Sequence, residues 1–110
     1  MSKQLNFSYK GKDYTLEFNR RAVEQMERNG FIASDITDKP MTTLPTLFRG
    51  AFLANHRFIK AELVDEIYSH MTNKTELIGK LAEMYNEPLE ALVKDPDEGD
   101  EGNVDWAATW

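Results

Sequence analysis

The residues most capable of chemistry in this 110-residue chain form no recognised catalytic or metal-binding motif. The only two histidines, His56 and His70, do not have the spacing of a zinc motif, and the chain has no cysteine to complete such a site. Each histidine is expected near a helix end, where a cation is favoured. No serine or carboxylate stands in a local pattern that pairs a nucleophile with a base. We therefore expect no enzyme activity, no metal and no cofactor.

The acidic run near the C-terminus has the composition of a calcium loop but not its pattern. An EF-hand loop beginning at Asp95 would need an oxygen ligand at position 5, glycine at 6 and glutamate at 12, where the chain has Gly99, Asp100 and Trp106. Residues 95–110 carry six acids and no base. A segment so poor in apolar side chains cannot offset the entropy of ordering. We interpret it as a mobile acidic tail.

The distribution of charge and of apolar residues excludes two classes of partner. Acidic and basic residues balance at 13 each outside the tail, so the net charge of −6 comes from the tail alone. Binding to phosphates needs a basic surface, and we expect no nucleic acid partner. No run approaches the ~20 apolar residues of a membrane helix, and the first residues lack the apolar core of a signal peptide. The expected location is the cytoplasm.

Residues 1–94 are predicted to form one α+β domain, with an N-terminal β-hairpin packed on about four helices. Alternating apolar residues predict the hairpin over residues 4–18, with a turn at Gly11. Apolar residues at helical spacing predict helices over about 20–29, 43–55, 60–71 and 74–86.

Several residues mark the expected ends of these helices. Asn19 should cap the first helix, and Gly30 should end it in a left-handed conformation. Pro45 is expected in the first turn of the second helix, whose wide apolar arc makes it the central one. Asn73 should open the fourth helix in a capping box, and Pro88 should interrupt it.

Two groups of apolar residues are candidates for partner binding. Phe52, Leu53, Phe58 and Ile59 exceed what one buried stripe requires, so they line either the core or an exposed groove, which would most of all involve Phe52, Phe58 and Ile59. Trp106 and Trp110 follow the acidic segment. Aromatic residues on a tether are good anchors for a pocket, although packing on their own domain or a frayed end is an equal alternative.

Four stretches of the sequence resemble a known family. They are Tyr9–Phe31, Lys39–Phe52, Leu77–Leu92 and Glu101–Trp106. Together they resemble the tail assembly chaperones of long-tailed phages and prophages of Gram-positive bacteria. The shared features are structural, so the resemblance implies a family without pointing to any site.

This resemblance implies a non-enzymatic protein that acts before the phage tail is complete. Such chaperones are thought to coat the tape measure protein, keep it soluble and bring tail tube protein to it. They stay in the host cytoplasm and are absent from the mature virion, and many have a longer form made by ribosomal frameshifting. The expected partners are therefore the tape measure protein and the major tail tube protein, with self-association left open.

The main alternative is a small DNA-binding or inhibitory regulator encoded by a phage or prophage. Its third and fourth helices would form a helix-turn-helix with a basic recognition helix. In the fourth helix, however, Lys74 and Lys80 are balanced by Glu76 and Glu83. The neutral face favours the chaperone interpretation.

Overall fold

A computed structural model describes residues 3–96, 99 and 102–110. It confirms the α+β class, with a two-stranded antiparallel hairpin followed by helices. The elements are β1 (Leu5–Tyr9), β2 (Lys12–Leu16), α1 (Arg20–Arg28), α2 (Asp35–Asp38), α3 (Pro40–Gly50), α4 (Ala61–His70) and α5 (Lys74–Val93). Among the described residues, no helix is long and apolar enough to cross a membrane.

The hairpin follows the alternation in its sequence. Leu5 pairs with Leu16 and Phe7 with Tyr14 across the two strands. The turn uses positive φ at both central residues, 50° at Lys10 and 80° at Gly11, which matches the right-handed twist of the strands. The apolar face lies on the helices, and a backbone hydrogen bond of 3.1 Å from the Glu17 N–H to the Ala51 carbonyl fixes its position.

Both predicted ends of α1 are confirmed. The Asn19 Oδ1 accepts a 2.8 Å hydrogen bond from the Ala22 N–H, which satisfies one of the free donors of the first turn. Gly30 has a φ of 91°, and the Phe31 N–H donates to the Met26 carbonyl at 2.9 Å. This closure turns Phe31 back into the core.

The core is centred on α3 and the turn that follows it, as predicted. Leu47, Phe48, Ala51 and Phe52 are all almost completely buried. The Phe52 ring lies 5.2 Å from Phe48 and 6.0 Å from Tyr14, in edge-to-face contacts that join the helix to the hairpin.

The predicted boundaries of α3 were wrong at both ends. The helix begins at Pro40, whose fixed φ suits a first helical position, so Pro45 lies inside the helix and not in its first turn. It ends at Gly50 and not near residue 55. There the backbone tightens, and Phe52 and Leu53 each donate to a carbonyl three residues earlier, at 3.1 Å.

Two expectations for α5 also fail. Pro88 does not interrupt the helix, which continues to Val93. Phe18 and Phe31 pack against Tyr85 and anchor the turn before Pro88, and the exposed residues 89–93 continue the helix beyond it. Asn73 has a left-handed φ of 52° and its amide donates to the Glu76 carboxylate, so the expected capping box does not form.

The predicted mobile tail lies partly outside the described residues, which omit 97–98 and 100–101. Of its described side chains, Val104, Trp106 and Trp110 are all exposed. In this arrangement they do not contribute to the core.

Candidate partner-binding surface

The side of the molecule formed by the hairpin and α4, here the hairpin–α4 face, is closed by internal polar contacts. The Tyr9 hydroxyl donates to the Glu66 carboxylate at 2.7 Å, and the Lys10 ammonium lies 3.1 Å from the same carboxylate. These two hydrogen bonds, with the charge of Lys10, hold the pKa of Glu66 below its ordinary value. The groups bind each other, which favours a structural role.

His56 belongs to the same closed region. The Thr15 N–H donates to its Nε2 atom at 3.1 Å, and the ring lies 5.2 Å from Tyr14. Burial, and then the charge of Lys12, lower the pKa of His56. The residue follows the turn after α3 and acts as a neutral acceptor, so the expectation of a helix-end cation was wrong for His56.

A second surface, the α1–α3 groove, is open. It consists of two adjoining hollows of about 240 and 180 Å³ that share Gln25 and Leu53. Helix α1 forms one wall, and α3 with the turn after it forms the other. The first hollow is lined by Asn19, Arg21, Ala22, Gln25, Leu53, Ala54, Arg57 and Phe58, and the second by Gln25, Met26, Asn29, Phe31, Thr46, Arg49, Gly50 and Leu53.

A glycine sets the depth of this groove. A Cβ atom on Gly50 would lie 2.3 Å from the Sδ atom of Met26, closer than any real contact. Because Gly50 has no side chain, α3 can approach α1 closely and the Met26 thioether fills the space between them. The two helices thus form a packed apolar floor, and the half-buried Leu53 lies above it.

The charged residues of the groove are all of one sign. Its lining contains Arg21, Arg49 and Arg57 and, among the described residues, no aspartate or glutamate. Arg49 already pairs with Asp65: its Nη2 donates to both carboxylate oxygens at 2.9 Å, and its Nε donates to Oδ1 at 3.3 Å. Arg21 and Arg57 have no ion pair within the described part of the chain, and the Arg57 guanidinium lies 5.4 Å from the centroid of the Phe58 ring. Two cations are therefore available at one end of the groove.

The structure separates the five residues predicted to bind a partner. Phe52 is fully buried beneath the hairpin, so its assignment to an exposed groove was wrong. Ile59 is partly buried against the core. Phe58 is 90% exposed at the mouth of the α1–α3 groove, and Trp106 and Trp110 are 82% and 100% exposed on the tail.

Comparison with protein families gives one match. A model described as "Domain of unknown function (DUF5055)" matches residues 1–110. The chain belongs to the DUF5055 family. Neither the curated proteins nor the solved structures gave a match. Within the described part of this DUF5055 chain, no cluster of histidine, aspartate or glutamate could hold a metal ion.

Sequence reasoning missed most of the groove of this DUF5055 domain. Arg21, Gln25 and Asn29 recur every four residues, which places them on one face of a helix. That spacing could have identified the polar rim. Arg57 had no comparable signal, and Leu53 was recognised only as one of four apolar residues that could line either the core or a groove.

A smaller apolar patch, also missed, lies at the end of α5. Leu89, Leu92 and Val93 are 37%, 58% and 80% exposed there. Next to them, Pro88 and Leu92 line a hollow of about 290 Å³ with Phe18 and Arg20. This patch was hidden because the helix was predicted to stop before Pro88. It lies beside the α1–α3 groove, since Asn19 lines both.

Proposed function

We propose that this chain is a phage tail assembly chaperone that binds an apolar helical stretch of the tape measure protein. The sequence resemblance over Tyr9–Phe31 and Lys39–Phe52 supports this role. The observation that carries it is Phe58, whose ring is 90% exposed at the mouth of an open groove. An amphipathic helix that places its apolar face in such a groove is a common mode of peptide recognition.

The position of Phe58 makes it the natural anchor of the interface. A single exposed apolar residue is ordinary on a protein surface. Phe58, however, adjoins the half-buried Leu53 and the cationic Arg57, so a partner helix could cover all three at once. Aromatic residues at the centre of an interface, surrounded by residues that exclude water, carry most of the binding energy.

The proposed role places the chain in the host cytoplasm during tail assembly. There it would keep the tape measure protein soluble until the major tail tube protein covers it, and it would be absent from the mature virion. Binding is the only activity that this role needs. The apolar patch at the end of α5 is a second surface, from which the tube protein could be recruited.

Co-expression with the tape measure protein tests this proposal. The chain should keep the tape measure protein in the soluble fraction, and Phe58→Ser should abolish that effect while the variant itself stays folded. Met41→Ser is the matched control, because Met41 is 88% exposed and lies outside the groove lining. If the tape measure protein aggregates equally with and without the chain, the chaperone assignment fails.

A further inference from the structure

The C-terminal segment 104–110 presents apolar side chains that contact little in the structure. Val104, Trp106 and Trp110 are 86%, 82% and 100% exposed. Trp106 and Trp110 are the only two tryptophans of the chain. Burying an indole gains more free energy than burying most side chains, because an aromatic residue can remove about 150–250 Å² from water. The segment therefore has a strong tendency to cover these rings.

The segment and the α1–α3 groove have opposite charges. Residues 104–110 carry one acid, Asp105 next to Trp106, and no base, and five more acids precede them in residues 95–101. The groove presents Arg21 and Arg57 beside the apolar Leu53 and Phe58, with no carboxylate in its described lining. The two surfaces are complementary in both charge and apolar character.

The segment can reach the groove of its own chain. The last turn of α5 and the start of α1 line one hollow, and Asn19 of that hollow also lines the groove. Trp106 lies 12 residues beyond Lys94. At 3.3–3.6 Å per residue these span at most about 40 Å, whereas the nine residues of α1 are only about 14 Å long. The linker is therefore long enough for Trp106 to contact the groove.

We propose that residues 104–110 fold back and dock in the α1–α3 groove of the same chain. Trp106 then covers Leu53 beside Phe58, and Asp105 lies near Arg21 and Arg57. A linker of this length gives an effective concentration of about 1 mM, so docking within one chain outcompetes docking between chains at micromolar concentration. The structure shows the undocked form, in which both surfaces are uncovered.

Docking of the tail would control access to the groove. Any partner that binds beside Phe58 must first displace residues 104–110. Its apparent Kd is then the intrinsic Kd divided by the fraction of grooves that are free. This inference stands independently of the proposed function, because it concerns two parts of one chain. Its test needs no partner protein. A failure of tail docking would therefore leave the proposed chaperone function unaffected, and the reverse also holds.

Tryptophan fluorescence of the full chain reports on the segment alone. The experiment compares acrylamide quenching of the wild type with that of Arg21→Glu/Arg57→Glu at low micromolar concentration. If the groove binds the segment with a Kd near the ~1 mM effective concentration, half of the segment is docked. Losing the docking then raises the quenching constant about twofold and shifts the emission to longer wavelength.

Three variants separate docking from general charge effects. Arg28→Glu/Lys80→Glu makes the same change in net charge outside the groove lining and should quench like the wild type. Asp105→Arg changes only the exposed segment, so the fold should not be affected. In this variant the segment should be released from the groove, as it is in Arg21→Glu/Arg57→Glu. Asp105→Arg in the Arg21→Glu/Arg57→Glu background should restore part of the protection.

Two results would overturn the proposal. Equal quenching in the wild type, the groove variant and Asp105→Arg would show that the segment does not dock. Protection that increases with protein concentration would show that the groove belongs to a second copy, and not to the same chain.

Discussion

The hairpin–α4 face and the α1–α3 groove both combine aromatic and charged side chains, but the first pairs its charged groups internally, whereas the groove pairs only Arg49, with Asp65. On the hairpin–α4 face, Glu66 binds Tyr9 and Lys10, and His56 accepts the Thr15 N–H. In the groove, Arg21 and Arg57 have no carboxylate in the described lining, and Phe58 is uncovered. Satisfied groups stabilise a fold, whereas unsatisfied groups of one sign beside an apolar floor indicate a surface for binding.

The largest expected effect comes from the core that separates these two surfaces. Phe48→Ala should lower the free energy of unfolding by about 3–5 kcal/mol, because the ring is 1% exposed and the mutation leaves a cavity. Urea denaturation measures this loss. A decrease below about 1 kcal/mol would mean that the ring is not in a tightly packed core.

The next effect is a pH dependence of stability that comes from His56 in the closed region. Because the folded state lowers the pKa of His56 from 6.5, its contribution to stability is present above that value and is lost as the pH falls towards the folded pKa. Between about pH 7 and about pH 5 the wild type should lose stability. His56→Gln should remove this part of the pH dependence.

His70→Gln is the control for that measurement. His70 is exposed at the end of α4, where its ring lies 5.8 Å from Tyr9. A loss of the pH dependence in His56→Gln that His70→Gln does not reproduce would assign that dependence to His56. If His70→Gln removes it and His56→Gln does not, the assignment of a neutral acceptor role to His56 is wrong.

A smaller effect is expected from the ion pair at the edge of the groove. Arg49 and Asp65 are 47% and 55% exposed, so Asp65→Asn should cost about 0.2–1 kcal/mol, and the cost should shrink in high salt. The same change frees Arg49 to face the groove. Partner binding should therefore be unchanged or tighter, and a clear loss of binding would contradict the groove assignment.

Local signals in the sequence were enough to predict the hairpin and α1. The alternation of apolar and polar residues predicted which face of each strand is buried. Asn19 and Gly30 have side-chain and backbone preferences that act within one turn of a helix. The ends of α3 and α5 could not be predicted in this way. A proline inside a helix normally breaks it, yet Pro45 and Pro88 both lie inside helices here.

The candidate site was predicted only in part. Phe58 was identified because it is one apolar residue too many for a single stripe, but the same reasoning also selected Phe52, which is buried. Sequence alone could not separate them, because the difference depends on where the hairpin lies. Arg57 and Leu53 join the groove through the turn after Gly50, which no local pattern indicated.

The most direct test of the binding surface is the variant with the smallest expected effect on stability. Phe58→Ser should change the free energy of unfolding by no more than about 0.5 kcal/mol, since the ring is 90% exposed. Its Kd for the tape measure protein, measured by titration calorimetry, should nevertheless rise about thirtyfold, the equivalent of a 2 kcal/mol interface anchor. An unchanged Kd with intact folding would contradict the groove as the binding surface, and a loss of folding would contradict the placement of Phe58 outside the core.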